Sequence, residues 1–316
     1  MVHATNHIRF LFGVITMFKL NDIIDEFRVP AGKKIKLKDY RTSWDGDDSL
    51  SEEVRKQLAA EHLAKSTAEL AAAQELLYAA DTWSVLCLFQ AMDAAGKDGT
   101  IKHVMSGVNP QGVQVVSFKR PSAEELDHDF LWRCSKALPE RGRIGIFNRS
   151  YYEELLVVKV HPEFIAGQRI PDAKPDKKKF WEQRYESIND FERHLARNGT
   201  HVVKFFLHVS KEEQKQRLLA RIDDPTKNWK FEAADLDERA HWDDYMSAFE
   251  SLLRETSTKN APWYVLPADK KWNCRALVAM ILAHEIKQLD LKFPEITDAQ
   301  RAALQECKRQ LESESE

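Results

Sequence analysis

Short, nearly continuous apolar runs alternate along the chain with longer stretches in which apolar residues recur every three or four positions. The runs at 83–89 (WSVLCLF), 113–118, 144–147 (IGIF), 201–209 and 263–266 are rich in β-branched and aromatic residues. That composition suits strands covered on both faces. Helical periodicity predicts helices over 50–78, 101–105, 124–138, 177–197, 211–222, 237–256 and 272–289. The helix at 50–78 contains neither Gly nor Pro and follows Ser49-Leu50-Ser51-Glu52, which has capping-box spacing. The helix at 177–197 closes at Gly199. Asn109-Pro110-Gln111-Gly112 marks a turn, and Pro139-Glu140-Arg141-Gly142 stops the helix before it. Strands alternating with helices predict an α/β fold: a parallel sheet between two helical layers, αβα. Residues 21–48 read as polar and irregular, within an N-terminal extension over 1–48. The core domain is expected over 49–290, and the tail at 291–316 is charged, reading as a helix or a frayed end. There is no internal repeat.

Composition narrows the class. With 43% hydrophobic and 31% charged residues the chain is globular rather than low-complexity. A formal net charge of −3 argues against a surface built to coat nucleic acid, so a polyanion must be met by a local basic stripe. Cys87, Cys134, Cys274 and Cys307 are widely spaced, with no Cys-x-x-Cys pair, and read as reduced thiols of a cytoplasmic protein. Cys87 sits inside an apolar strand and is a small core residue. The apolar stretch at 10–18 is too short to span a membrane and lacks a signal-cleavage pattern; Met17 is an alternative start that would explain it.

The candidate chemistry begins at 86–100, LCLFQAMDAAGKDGT, where an apolar strand feeds a small-residue loop ending in Gly96-Lys97. A P-loop works through backbone N–H groups that point into a concave turn, the positive end of the following helix, and one lysine that reaches the phosphates. Ala94, Ala95, Gly96, Asp98, Gly99 and Thr100 would form that cradle around Lys97. The pattern departs from G-x-x-x-x-G-K-[ST]: Ala91 takes the first glycine position and Asp98 that of the metal-binding hydroxyl. Asp93 and Asp98 flank the lysine where phosphates must approach, which implies a divalent cation that screens the repulsion. Ligands of open parallel sheets gather at the carboxyl ends of the strands, so Asn148, Arg149 and Ser150 after the third strand are further candidates. Asn148 stands where an acid commonly holds Mg2+, leaving Asp93 as principal metal contact with Asn148 as neutral partner. Arg149 offers a planar fork for phosphate oxygens. Arg217 and Arg221 share a helix face, with Lys227 and Lys230 beyond Asp224-Pro225; together they suggest a cationic lid over about 217–235 that excludes water.

Across about 36–275 the sequence resembles the polyphosphate kinase 2 family. The strings that carry the likeness are MDAAGKDGT, VNPQGVQVVSFKRPS, HDFLWR, FNRSYYE, DPTKNWKF, WDDY and TSTKNAPWYVLPADKKW. The resemblance implies a thymidylate-kinase-like α/β fold and Mg2+-dependent phosphoryl transfer between inorganic polyphosphate and nucleotides, with Mn2+ as a substitute ion and a homo-oligomeric state. FNRSYYE is most similar to the branch that accepts both nucleoside mono- and diphosphates. AMP and ADP are therefore the expected acceptors, with GMP and GDP as alternatives, and no nucleic acid or membrane partner is expected. On this reading Lys97 and the loop amides hold the phosphate between donor and acceptor, and Asp93 positions the metal. Arg149, Arg217 and Arg221 stabilise transferred charge, while Lys119, Arg120 and Arg133 track the polyanion. Two rival readings share the same motifs: an ATP-dependent nucleotide kinase, and a non-catalytic polyphosphate- or nucleotide-binding module that lost turnover through Ala91 and Asn148.

Overall fold

The computed structural model of the chain describes residues 17–44 and 49–314; the first seven positions of the apolar stretch at 10–18 lie outside them. Helix α1 (Met17–Phe27) and helix α2 (Glu52–Ala80) precede strand β1 (Ser84–Gln90) and helix α3 (Lys97–Val104). Strands β2 (Val113–Ser117) and β3 (Ile144–Asn148) follow, then α4 (Lys178–Arg197), β4 (Thr200–His208) and α5 (Lys211–Asp223). The order closes with α6 (Ala234–Ala240), α7 (Trp242–Thr256), β5 (Trp263–Pro267), α8 (Lys271–Lys287) and α9 (Asp298–Ser313).

The five strands form one parallel sheet in the order β2-β3-β1-β4-β5. Every residue of the central strand β1 is buried, which explains its unbroken apolar character, whereas the edge strand β2 is half exposed. The chain leaves β1 toward β2 on one side and later crosses from β3 to β4 on the other. The carboxyl end of β1 is therefore a topological switch point, where two connections diverge and open a crevice. Register places Phe89 opposite Asn148, so residues after β1 lie beside residues after β3.

Helices α2 and α3 pack with α8, and α4 packs with α7 and β4, giving the layers that the apolar pattern predicts. A polar network crosses the core. Lys204 on β4 is fully buried, and its Nζ donates to Glu192 Oε2 at 2.6 Å, Tyr152 Oη at 2.9 Å and the Thr256 carbonyl at 2.8 Å. Glu192 Oε1 also accepts from the Tyr151 and Tyr152 hydroxyls, so this network fastens the segment after β3 to α4 and β4.

Local expectations need four corrections. Residues 21–27 are helical, because Ile24 and Phe27 bury against the domain, and Val29 N donates to the Trp263 carbonyl at 2.8 Å. The cap of α2 is Ser51, whose hydroxyl accepts from Val54 N, and not Ser49. The helix expected at 124–138 is two short pieces, Ala123–Leu126 and Trp132–Lys136. A Ser122/Glu125 capping box opens the first piece, and Asp129 turns the chain by accepting from Leu131 N at 2.9 Å. The helix expected at 237–256 breaks at His241, which separates α6 from α7. Cys87 is buried in β1 as expected. Among the described residues no helix is long and apolar enough to cross a membrane.

Candidate active site

After β1 the backbone curls tightly, with Ala94 at φ +59° and Gly96 at φ +106°. Alternating left- and right-handed residues turn successive N–H groups toward one side and create an anion-binding concavity. Gly96 caps α3 and accepts this backbone without penalty, while a left-handed Ala94 costs about 1–2 kcal/mol and must be held by its surroundings. Arg217 supplies that restraint. Its Nη1 donates to the Ala95 carbonyl at 2.6 Å and the Ala94 carbonyl at 3.2 Å. Its Nη2 donates to the Ala268 carbonyl at 2.6 Å and the Asp269 carbonyl at 3.0 Å, and its Nε donates to Glu213 at 2.8 Å. Lys97 opens α3 and is buried, and its Nζ reaches back across the loop to the Ala91 carbonyl at 3.0 Å. Burial, and after it the Arg149 guanidinium, lower the pKa of this lysine.

The end of β3 supplies the facing wall. Arg149 is itself left-handed, at φ +64°, and its N donates to the Phe89 carbonyl at 3.0 Å. That backbone turns the guanidinium over the loop, where Nη2 donates to Asp93 Oδ1 at 2.8 Å and Nη1 lies 3.7 Å from Glu153 Oε2. Glu153, one helical turn beyond Arg149 in FNRSYYE, is a site residue that the sequence reading missed; its i, i+4 spacing from Arg149 was the available signal. Burial raises the pKa of its carboxyl, opposed by Arg149. Asn148 Nδ2 donates to Asp98 Oδ1 at 2.7 Å, while Asn148 Oδ1 is buried without a hydrogen-bond partner. A narrow cavity of about 30 Å3 lies between these groups and α6–α7, lined by Asp93, Arg149, Glu153, Leu156, Tyr245 and Glu238 among others.

Other candidates lie elsewhere. Arg217 belongs to the base of the loop and is not a mobile lid arginine. Arg221 faces the segment expected as a lid, with Nη1 donating to the Lys230 carbonyl at 3.1 Å and lying 3.4 Å from Asp235. Lys227 pairs with Asp224, and Lys230 lies 5.0 Å from the exposed Trp229 ring. The stripe expected through Lys119, Arg120 and Arg133 is not a row of free cations. Arg133 is largely buried, donates to the Lys119 carbonyl at 2.8 Å, lies 3.5 Å from Glu125 and covers Phe118. Lys119 and Arg120 remain exposed after β2, with Arg120 beside the Phe164 ring. Thr100 is buried in α3, its N donating to the Gly96 carbonyl at 2.9 Å.

A parallel αβα sheet whose central strand ends in a lysine-bearing anion cradle, faced by an arginine from the neighbouring strand, defines a phosphotransferase. The chain belongs to the polyphosphate kinase 2 family (PPK2), whose family profile matches residues 53–294. It is 52% identical over 286 residues to an ADP-polyphosphate phosphotransferase of Rhodopseudomonas palustris, covering 90% of this chain and 97% of that one. It is 46% identical over 270 residues to an AMP/ADP-polyphosphate phosphotransferase of Meiothermus ruber, covering 85% and 95% respectively. The crystal structure of a polyphosphate kinase 2 from Arthrobacter aurescens superposes with a TM-score of 0.77 at 40% identity, covering 89% of this chain and 95% of that one.

Proposed function

We propose that the β1–α3 turn is a working P-loop and that the chain moves phosphoryl groups between inorganic polyphosphate and AMP or ADP, forming ADP and ATP, with guanine nucleotides as alternative acceptors. The observation that carries this reading is the convergence of Lys97, the loop amides, Arg149 and Asp93 at the sheet's switch point. Relatives with about half their residues in common are named for ADP and for AMP/ADP, which supports an acceptor of either length.

The proposed chemistry rests on placement and charge. A nucleotide phosphate oxygen is already an anionic nucleophile, so the site needs no strong general base. Lys97 and the loop N–H groups hold the phosphate undergoing transfer, and Arg149 meets charge that develops on its equatorial oxygens. Glu153 and Asp93 fix the guanidinium from two sides, so it is aimed before substrate arrives. The donor set fits a hard divalent cation such as Mg2+. Asp93, Asp98 and the unpartnered amide oxygen of Asn148 are oxygen ligands, and among the described residues no cluster of three or more His, Cys, Asp and Glu side chains would enclose an ion. Asp93, Asp98 and Asn148 would hold such an ion, which when bound would neutralise phosphate charge. The same reading carries a cytoplasmic homo-oligomer, which light scattering of the purified chain checks.

The decisive experiment incubates purified protein with long-chain polyphosphate and AMP, ADP or GDP, with and without Mg2+, and quantifies nucleotides by chromatography. Polyphosphate-dependent, Mg2+-dependent formation of di- and triphosphates is expected. Transfer from ATP alone would establish the nucleotide-kinase reading instead, and binding without turnover the non-catalytic one.

A further inference from the structure

The segment 28–44 has no part in the proposed mechanism, yet it ends beside the residues that hold the phosphate loop. Helix α1 delivers it to β5, where Arg28 makes an isolated antiparallel bridge with Tyr264 and Val29 N donates to the Trp263 carbonyl at 2.8 Å. The Val29 carbonyl accepts from Ser257 Oγ at 2.7 Å, and the buried Leu37 donates through its N to Glu250 Oε2 at 2.8 Å. An open groove of about 480 Å3 lies between the segment, α1 and Val265, so the path of the segment is set by its anchors and not by packing along its length. Its far end returns to the turn between β5 and α8. There Asp269 N donates to the Thr42 carbonyl at 2.9 Å and Asn273 Nδ2 donates to the Trp44 carbonyl. The Trp44 ring stands edge-on to that of Phe27, with centroids 5.4 Å apart.

The Thr42 contact lies back to back with the Arg217 clamp. Asp269 N–H and the Ala268 carbonyl belong to one planar peptide unit and point opposite ways. Thr42 therefore fixes the tilt of the carbonyl that accepts from Arg217 Nη2 at 2.6 Å. On the other side of the guanidinium, Nη1 holds the Ala95 carbonyl at 2.6 Å, and that carbonyl shares its peptide plane with the Gly96 N–H, a donor of the anion cradle. Two rigid planes joined by one planar guanidinium thus carry orientation from residue 42 to residue 96, and hydrogen bonds in such a chain polarise one another. Asp269 steadies Arg217 by a second route. Its carboxylate accepts from Ser210 N at 2.7 Å, Ser210 caps α5, and Glu213 on that helix accepts from Arg217 Nε. We infer that the segment 28–44 is a positioning strap for the phosphate loop, in which the Thr42 carbonyl aims the Gly96 N–H through Asp269 and Arg217. This rests on the P-loop reading above and gives the loop's alignment a source outside the sheet. A cradle amide turned off line loses most of its hydrogen bond, so the effect falls on the transfer step, where charge develops, more than on nucleotide binding.

Asn273→Leu removes the Trp44 anchor at similar side-chain volume and adds no charge beside the site, and Trp44→Ala frees the same end from Phe27. Each is expected to lower kcat about tenfold, the worth of one hydrogen bond, with the KM for ADP within about twofold of wild type. Arg217→Lys cannot span the carbonyls on both sides, so in that background Asn273→Leu should change kcat by less than about twofold. Hydrogen exchange of the nucleotide-free protein gives a readout outside the reaction. The Ala95 amide, which donates to the Met92 carbonyl at 3.3 Å, should exchange about tenfold faster in Asn273→Leu, with the amides of β3 unchanged. Equal losses of kcat in the two backgrounds, or an Ala95 amide that exchanges as in wild type, would overturn the strap. So would equal acceleration at Ala95 and throughout β3, which marks general destabilisation. Where Arg217→Lys does not fold, the exchange comparison decides alone. Failure of the wild type to transfer from polyphosphate would overturn the functional reading, and the exchange comparison would still decide the strap.

Discussion

Lys97 shows how a buried cation is kept available. Its stem fills space beside the loop, and its single hydrogen bond among the described residues is to the Ala91 carbonyl, a neutral partner that a phosphate oxygen outcompetes. Lys97→Ala should therefore lower kcat by about 100-fold or more while shifting stability by no more than about 1 kcal/mol. Steady-state kinetics with a thermal melt checks both; turnover close to wild type would sink the P-loop assignment. Arg217 should respond in the opposite proportion. Its head bonds four carbonyls and a carboxylate, so Arg217→Met leaves buried acceptors unpaired and should destabilise the fold by about 3–5 kcal/mol. Arg217→Lys should rescue little, because an ammonium cannot span the same fork. A melt of the Lys variant that overlays wild type would show that charge alone suffices there. Asp93→Asn weakens the Arg149 pair and removes a metal-seeking oxygen, so it should raise the Mg2+ concentration needed for half-maximal rate; a superimposable Mg2+ titration would point to Asp98 instead.

Among the elements, β4 carries two testable burdens. The Lys204–Glu192 pair is a buried charge couple, and removing one partner strands the other. Lys204→Met should cost about 3–5 kcal/mol, and adding Glu192→Leu should recover a large part of it. Chemical denaturation of the four proteins in the cycle measures this coupling. At the end of the same strand, burial lowers the pKa of His208 from 6.5 to about 4, with Asp269 opposing. The unfolded chain then binds more protons than the folded one between those values. Its contribution to stability is complete above pH 6.5 and is lost as pH falls toward 4, amounting to roughly 3 kcal/mol at about 1.4 kcal/mol per unit. His208→Gln should flatten that acid limb relative to wild type; parallel stability curves would count against it. These elements also show what was legible in the sequence. The strands could be read because two-sided burial writes unbroken apolar runs, and Asp93, Lys97, Asn148 and Arg149 because they directly follow such runs. Apart from the i, i+4 pair with Glu213, Arg217's clamp could not be read, since its four carbonyl partners lie 51 to 123 residues away and any residue supplies a carbonyl. Helix α1 was within reach of the sequence, since Leu20, Ile23, Ile24 and Phe27 recur at helical spacing and pack on the core; reading 21–48 as one polar segment cut that pattern in two.

At the scale of the whole molecule, access and closure must be reconciled. The groove between Arg149, Glu153 and Tyr245 is narrow, about 30 Å3, and α6 supplies Glu238 to its wall, so a movement of α6 would widen it for an acceptor. What holds α6 down is a small set of polar contacts. Glu238 accepts from the Tyr245 hydroxyl and from His161 Nε2 at 3.1 Å, and Arg239 donates to Gln214 Oε1 at 2.7 Å and the Lys211 carbonyl at 2.8 Å. Gln214 in turn donates to the Asp93 carbonyl at 3.0 Å, so the lid is tied to the loop through one amide side chain. On the proposed reading such a closure would exclude water from a site whose competing reaction is hydrolysis. Glu238→Gln keeps the size of the latch but removes its charge. At a partly exposed position this should weaken closure by about 1 kcal/mol, close to fivefold in the open-to-closed ratio. Wild type should release little free phosphate per nucleotide phosphorylated, and Glu238→Gln several times more, because open complexes admit water while Lys97 and Arg149 stay in place. Simultaneous assay of orthophosphate and ATP from polyphosphate and ADP measures that ratio directly. A lower rate with an unchanged ratio would mean that Glu238 supports the fold of α6 without governing access, and the water-excluding latch would have to be sought in Arg221 and Asp235.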